Sequence, residues 1–241
     1  MKDGVCKYCN QPSRLVDSHI IPFGLYWGLN DENGRPAKLL SPHDNEYPKR
    51  QPAGFYDNFV CEKHEEQFND YDTYACSLLR DTTPTKVTHG WEFEDVNYDL
   101  IKLFFISLLW RAHWASNDFF NRIDLGPHEK RIKQLLEDKN PSTNDEYSVV
   151  LWRSEELISN AVREPYRERY KGLSYIRFYI PGYMALIKVD KRPLYSKFEF
   201  NSLKNGKKWF AERKQYKGAS EEKTMIDVYK KNRKYIMRTK R

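Results

Sequence analysis

A chain of 241 residues with 39% hydrophobic and 15% aromatic side chains is too rich in core-forming residues to be disordered. Its longest apolar run, Leu103 to Trp110, is broken by Ser107 and falls far short of the roughly 20 residues that cross a bilayer, which excludes a membrane span. The net charge of +7 is uneven: from Asp190 to Arg241, 17 Lys and Arg stand against 6 Asp and Glu, a net of +11, leaving −4 for the first 189 residues.

In chain order, the opening MKDGVCKYC has no apolar leader region, which sets the expectation of a reducing, cytoplasmic compartment where thiolates stay free. Cys6-Lys7-Tyr8-Cys9 and Cys61-Glu62-Lys63-His64 form two close pairs of metal-type ligands. Each pair makes one chelating turn, and together they suit a tetrahedral Cys₃His zinc that ties two distant segments together. The alternative is chance spacing of ordinary buried cysteines.

Arg14 to Ile21 reads as a short strand stopped by Pro22. Phe23 to Gly54 reads as a long insertion punctuated by Asn33-Gly34, Arg35-Pro36 and Ser41-Pro42. A helix is predicted from Glu62 to Leu79, with Phe68, Tyr71, Ala75 and Leu78 on one face and Asp81-Thr82-Thr83-Pro84 ending it. The fourth cysteine, Cys76, falls in this helix and reads as a small buried residue.

The best boundary lies near residues 82–96, dividing a zinc-binding unit (1–82) from a larger body (97–241). The body opens with a helix apolar nearly all round, the pattern of a buried one. Arg111 and His113 on it need partners, and a structural acid is the ordinary partner for such an arginine. After Gly126-Pro127 comes a helix over 128–138, then a strand over 147–152. A helix is expected over 154–169, kinked or ended by Pro165. Tyr175 to Tyr179 and Tyr183 to Val189 flank Pro181-Gly182 as a β-hairpin. The fold class is α+β.

Near the end, Lys204, Lys207 and Lys208 flank Trp209-Phe210, and Lys230, Lys231, Arg233 and Lys234 lie between Tyr229 and Tyr235. Cations interleaved with aromatics suit phosphate contact plus base stacking, as in nucleic-acid binding. The same residues also fit the wet face of a terminal helix.

The run Ser18-His19-Ile20-Ile21-Pro22, set between the two ligand pairs, resembles the acid-His-Ile-Ile-Pro signature of the zinc-bearing branch of HNH (ββα-metal) endonucleases. The resemblance covers about residues 1–80. It implies a β-hairpin and helix clamping one divalent ion, Mg²⁺ or Mn²⁺, beside the structural Zn²⁺. It makes His19 the general base that activates water. Glu65 stands where the family places an ion-binding His or Asn, and Asn58 matches the asparagine that orients the base. Ser18 stands where the family has an acid, and a hydroxyl is a poorer ligand for a hard dication. Asp17, on the same strand face as His19, or Asp72, two helical turns beyond Glu65, could complete the site. The implied substrate is DNA or RNA. Ser-His at this position is usual in a branch found in bacterial mobile and defence loci, which implies an antiphage effector with a possible protein partner. The alternative is a non-catalytic zinc knuckle that binds nucleic acid or protein within a larger complex.

Overall fold

Three antiparallel strands carry the N-terminal segment: β1 (Lys2–Val5), β2 (Pro12–His19) and, beyond a two-residue ribbon of β3 (Lys38–Leu39) and β4 (Lys49–Arg50), β5 (Tyr56–Cys61). Their order is β1-β2-β5. The chain is described by a computed structural model at residues 2–26, 38–39, 49–50, 54–156 and 163–237; the three turns expected in the insertion lie outside these.

The β2–β5 register is broken at one point. Val16 faces Val60 and Ser18 faces Asp57, so Asn58 and Phe59 together oppose Asp17 alone. This bulge re-aims the end of β2, where His19 pairs with Tyr56. Between β2 and the ribbon the chain makes a short turn over Phe23–Tyr26. Gly54 returns to that turn with φ +70°, and a Cβ there would lie 2.7 Å from the Tyr26 ring, so glycine is required.

Helix α1 (Glu62–Cys76) starts as β5 ends and continues into a wider turn over Ser77–Asp81. Phe68, Tyr71 and Ala75 are its buried face, as their spacing predicts. Its partner is α2 (Tyr98–Trp114), capped by the Asn97 side chain accepting from the Leu100 N–H at 3.2 Å and buried almost throughout. α3 (His128–Glu137) packs against α2 and buries Ile132, Leu135 and Leu136.

The body is built on a seven-stranded sheet of β6 (Thr85–Val87), β7 (Gly90–Phe93), β8 (Val149–Arg153), β9 (Tyr166–Tyr170), β10 (Leu173–Ile180), β11 (Tyr183–Lys188) and β12 (Trp209–Arg213). Its order is β6-β7-β12-β8-β11-β10-β9. The late strand β12 inserts parallel to β8 and antiparallel to β7. At that crossing Gly90 leaves no room for a side chain: a Cβ would sit 2.1 Å from the Ala211 carbonyl oxygen. The hairpin around Pro181-Gly182 forms as read, with Gly182 at φ +79°. α4 (Ser220–Met237) ends the described chain.

Residues 82–96, where the sequence places a boundary, contain β6 and β7 of the large sheet. One expectation is corrected. Of the helix expected over 154–169, residues 157–162 lie outside the described chain and Tyr166–Tyr170 is strand β9. The hydrophobic core is continuous from the N-terminal sheet to the body. Trp110 on α2 meets Tyr8 at 5.3 Å, Phe59 at 5.9 Å and Phe68 at 6.2 Å between ring centres. Five residues earlier on the same helix, Phe105 meets Trp209 of β12 at 6.0 Å. Among the described residues, no helix is long and apolar enough to cross a membrane.

Candidate functional site

Cys6 and Cys9 sit on the turn between β1 and β2, and Cys61 and His64 span the junction of β5 with α1. The turn is closed by Asn10 N–H to the Cys6 carbonyl at 2.8 Å, with Asn10 itself at φ +58°, a conformation asparagine tolerates. Lys7 N–H donates to the Phe59 carbonyl at 2.8 Å, fastening the turn onto β5. The four ligand atoms lie within 4.8 Å of one another. His64 Nδ1 is 3.0 Å from Cys61 Sγ and 3.7 Å from Cys6 Sγ. Those gaps suit donors about 2.0–2.3 Å from one shared tetrahedral centre. Tyr8 stacks on the His64 ring at 4.5 Å, and its hydroxyl accepts from Gln67 at 3.1 Å. Burial, assisted by Lys63, pushes the His64 imidazole below its usual range, so it is neutral and able to donate to a cation. The four residues could hold a metal ion such as zinc.

A cleft of about 380 Å³ opens between the end of β2 and the exposed side of α1. His19, Glu65, Asn69, Asp72 and Arg80 line it. The helical positions follow from spacing: 65, 69, 72 and 73 recur at intervals of four, three and one, a single helix face. His19 is half-buried, with the rings of Tyr56 and Phe23 at 6.2 and 6.3 Å.

Ser18 Oγ and Glu65 Oε2 are both buried at this site, the hydroxyl beside the carboxyl. Burial raises the Glu65 carboxyl above its usual range, countered by the Ser18 hydroxyl, Arg111 and His19. A carboxylate buried with so few partners is costly, and a cation would lower that cost.

Asp72 is already engaged. Arg111, fully buried on α2, holds it with a two-pronged ion pair of 2.8 and 2.7 Å. The same guanidinium donates to the His19 carbonyl at 2.8 Å and to Ser107 Oγ at 3.0 Å. Arg111 therefore finds the structural acid its burial demands. Asp17 is exposed and lies outside the cleft lining; its Oδ1 accepts from Asn58 Nδ2 at 2.7 Å. Thus Asp17 and Asn58 are brought to each other at the bulge, while His19, Glu65 and Asp72 share the cleft.

Asn69 was missed by sequence reading. The available signal was its place four residues after Glu65 on a helix whose opposite face holds Phe68 and Tyr71. Cys76 also lines the cleft, its thiol pushed up to about 11 by burial and the nearby Asp72, so it is a neutral lining group.

The basic C-terminal residues separate into two sets. Lys204, Lys207 and Lys208 are exposed, but Lys208 already bridges Glu92 at 2.7 Å and Glu94 at 3.0 Å. Trp209, which follows Lys208, is 1% exposed and belongs to the core, so it offers no ring for stacking. Lys230, Lys231 and Arg233 are exposed on α4. The side chains of Lys234, Tyr229 and Tyr235 lie outside the described residues.

No protein-family model matches this chain, and neither a curated protein nor a solved structure does.

Proposed function

We propose that this chain is a zinc-stapled nuclease of the HNH type, hydrolysing phosphodiester bonds in DNA or RNA with His19 as general base. The observation that carries the reading is the meeting of His19 with the buried carboxyl of Glu65 in one cleft. An imidazole able to take a proton from water and a carboxylate poised for a cation are the two parts such a reaction needs. Cys6, Cys9, Cys61 and His64 hold structural Zn²⁺, which fixes the start of α1 and hence Glu65, the next residue.

The donor set fits a Mg²⁺ or Mn²⁺ ion. The Glu65 carboxyl and the Ser18 hydroxyl are adjacent buried oxygen donors, and the Asn69 amide lies on the same helix face as Glu65. Asp72 and Asp17 are spoken for by Arg111 and Asn58, so Glu65 is the carboxylate of the site. When bound, the ion supplies charge stabilisation at the phosphate and the leaving oxygen. His19 accepts the proton of the attacking water. Arg111, gripping the His19 carbonyl and Asp72 together, fixes the spacing between the base and the helix. An antiphage effector role, with a protein partner supplying targeting, accords with this chemistry.

A second reading is a zinc-bearing subunit that binds nucleic acid or protein without cleaving. The observation favouring it is that Ser18 takes the place of an acid while Asp72 is neutralised, which leaves a single carboxylate for a dication. One experiment separates the two: cleavage of plasmid, single-stranded DNA and RNA with Mg²⁺ or Mn²⁺ by wild type and by His19→Ala. The nuclease reading expects at least a 100-fold loss in the variant, about the lower end of general-base contributions, with zinc content and circular dichroism unchanged. Equal cleavage by both proteins, or none by either, sinks it. Cys61→Ser is expected to lose bound zinc, read by metal analysis.

A further inference from the structure

The insertion of β12 beside β8 sets two arginines side by side in the large sheet. The strands run parallel there, and Arg213 pairs directly with Arg153. Side chains of paired residues stand on one face of a sheet, and like charges so placed repel. The neighbouring strands extend the row. Tyr183 of β11 pairs with Arg153, and Trp91 of β7 pairs with Ala211, two residues before Arg213. With only a methyl group opposite it, the Trp91 indole reaches both guanidiniums, whose central carbons lie 5.1 Å (Arg153) and 5.4 Å (Arg213) from the ring centre. Lys86 of β6, paired with Trp91, adds a third cation at 5.8 Å. Trp91 is 3% exposed, so it is a floor for these cations and not a surface for a base.

Three cations around one ring call for negative charge, and the fold provides little. Glu155 accepts from Lys86 Nζ at 2.8 Å and feels Arg153 and Arg213 only at longer range. Among the described residues, no carboxylate comes within ion-pair distance of either arginine. Arg153 Nη1 is buried and has no hydrogen-bond partner among them. Elsewhere the same chain gives its buried guanidiniums an acid: Arg111 has Asp72 and Arg177 has Glu168. Attraction to the indole offsets part of the cost of the arginine pair. It engages the flat face of a guanidinium, however, and leaves the N–H donors at its edge without acceptors. A buried donor stays costly until an acceptor meets it.

Arg213 is exposed and Arg153 half-buried, so an anion from solvent can reach the pair. A carboxylate has two oxygens and satisfies one guanidinium fork, whereas a phosphate group has enough to meet two. The planar arginine fork matches phosphate better than a lysine ammonium does. None of these residues lines the His19 cleft, and the argument does not depend on the nuclease reading.

We propose that Arg153 and Arg213, seated on Trp91, form a phosphate-binding site at this end of the large sheet. The fork is the same whether the phosphate belongs to a small compound or to a nucleic-acid backbone, so the test uses both. Full-length, zinc-loaded protein without other divalent ions is titrated calorimetrically at one ionic strength. The probes are inorganic phosphate and an oligothymidine that lacks terminal phosphates. Inorganic phosphate is expected to bind with a Kd of about 1 mM or tighter. Arg213→Gln and Arg153→Gln are each expected to weaken binding about 10- to 100-fold, the loss of one charged hydrogen-bond donor group. Arg131→Gln, which removes an exposed guanidinium paired with Glu146, is expected to bind as the wild type does. Zinc content and circular dichroism identify any variant that has lost its fold. Arg213 is exposed, so its variant decides the matter if Arg153→Gln does not fold.

Arginine-dependent binding of oligothymidine assigns the site to a nucleic-acid backbone. Arginine-dependent binding of inorganic phosphate alone assigns it to a small phosphate compound. Binding that survives both substitutions overturns the proposal, and so does failure to bind either probe. An equal loss in Arg131→Gln would mean that bulk charge and not this fork holds the anion, which overturns it as well.

Discussion

Arg111 shows how one buried side chain can set the geometry of a site it does not enter. Its fork spans Asp72 of α1 and the carbonyl of His19 at the end of β2. Removing one partner of a buried pair leaves the other uncompensated. Arg111→Met is therefore expected to destabilise the fold by about 3–5 kcal/mol in chemical denaturation. Arg111→Met joined to Asp72→Leu is expected to recover most of that loss, while leaving His19 less well placed. A full-cost double variant would mean that the pair's value lies in the carbonyl contact alone. Lys102, fully buried on α2, offers a second residue-scale test. Burial lowers its amine to about 7 from 10.5, opposed by Glu146. Below pH 7 folded and unfolded chains both carry the proton, and the folded chain bears the full cost of burying it. Between about 7 and 10.5 the folded chain has released a proton that the unfolded chain still binds, so stability climbs with pH across that window. Lys102→Met is expected to be more stable at pH 7, by on the order of 2–4 kcal/mol, and to lose the climb. Denaturation midpoints from pH 6 to 10 check both halves.

At the scale of elements, the legible parts were those whose signal is local. The ligand pairs, the strand ending in His19, the amphipathic α1 and the Pro181-Gly182 hairpin each carry their pattern within a few residues. What stayed hidden depends on distant partners. β6 is three residues, all exposed, with no alternation to reveal it. β9 is an edge strand whose Arg167, Glu168 and Arg169 look helical by propensity and become strand by pairing with β10. Trp209 reads as a surface ring among lysines, yet β12 is threaded between β7 and β8, and its alternation sends that side chain inward. Asp72 was legible as an acid on the right face of α1. Its engagement by Arg111, 39 residues further along the chain, was not. The same threading makes Gly90 a sharp test. Gly90→Ala would drive a methyl against the Ala211 carbonyl, where backbone has to move, and is expected to cost roughly 3 kcal/mol. A change below about 0.5 kcal/mol in denaturation midpoint, the range of ordinary surface substitutions, would mean the two strands part easily.

At the scale of the whole molecule, α2 makes the N-terminal sheet and the body share one interior. Trp110 touches aromatic rings from the β1–β2 turn, from β5 and from α1. Trp110→Ala is expected to cost about 3–5 kcal/mol and to lower stability in one cooperative transition. Fluorescence and circular dichroism should move together; separate transitions would show that the two parts unfold independently. Residues 1–82 expressed alone would bare Tyr8, Phe59 and Phe68, and zinc alone is not expected to keep that fragment in solution.

The meeting of Tyr26 with Gly54 has a consequence for how this chain can change. A side chain at position 54 would have to adopt a left-handed backbone and displace the Tyr26 ring at once, so the position is doubly closed. Shrinking Tyr26 would relieve the crowding and leave the backbone strain. Substitution can therefore reach this pair in one order alone, Tyr26 before Gly54.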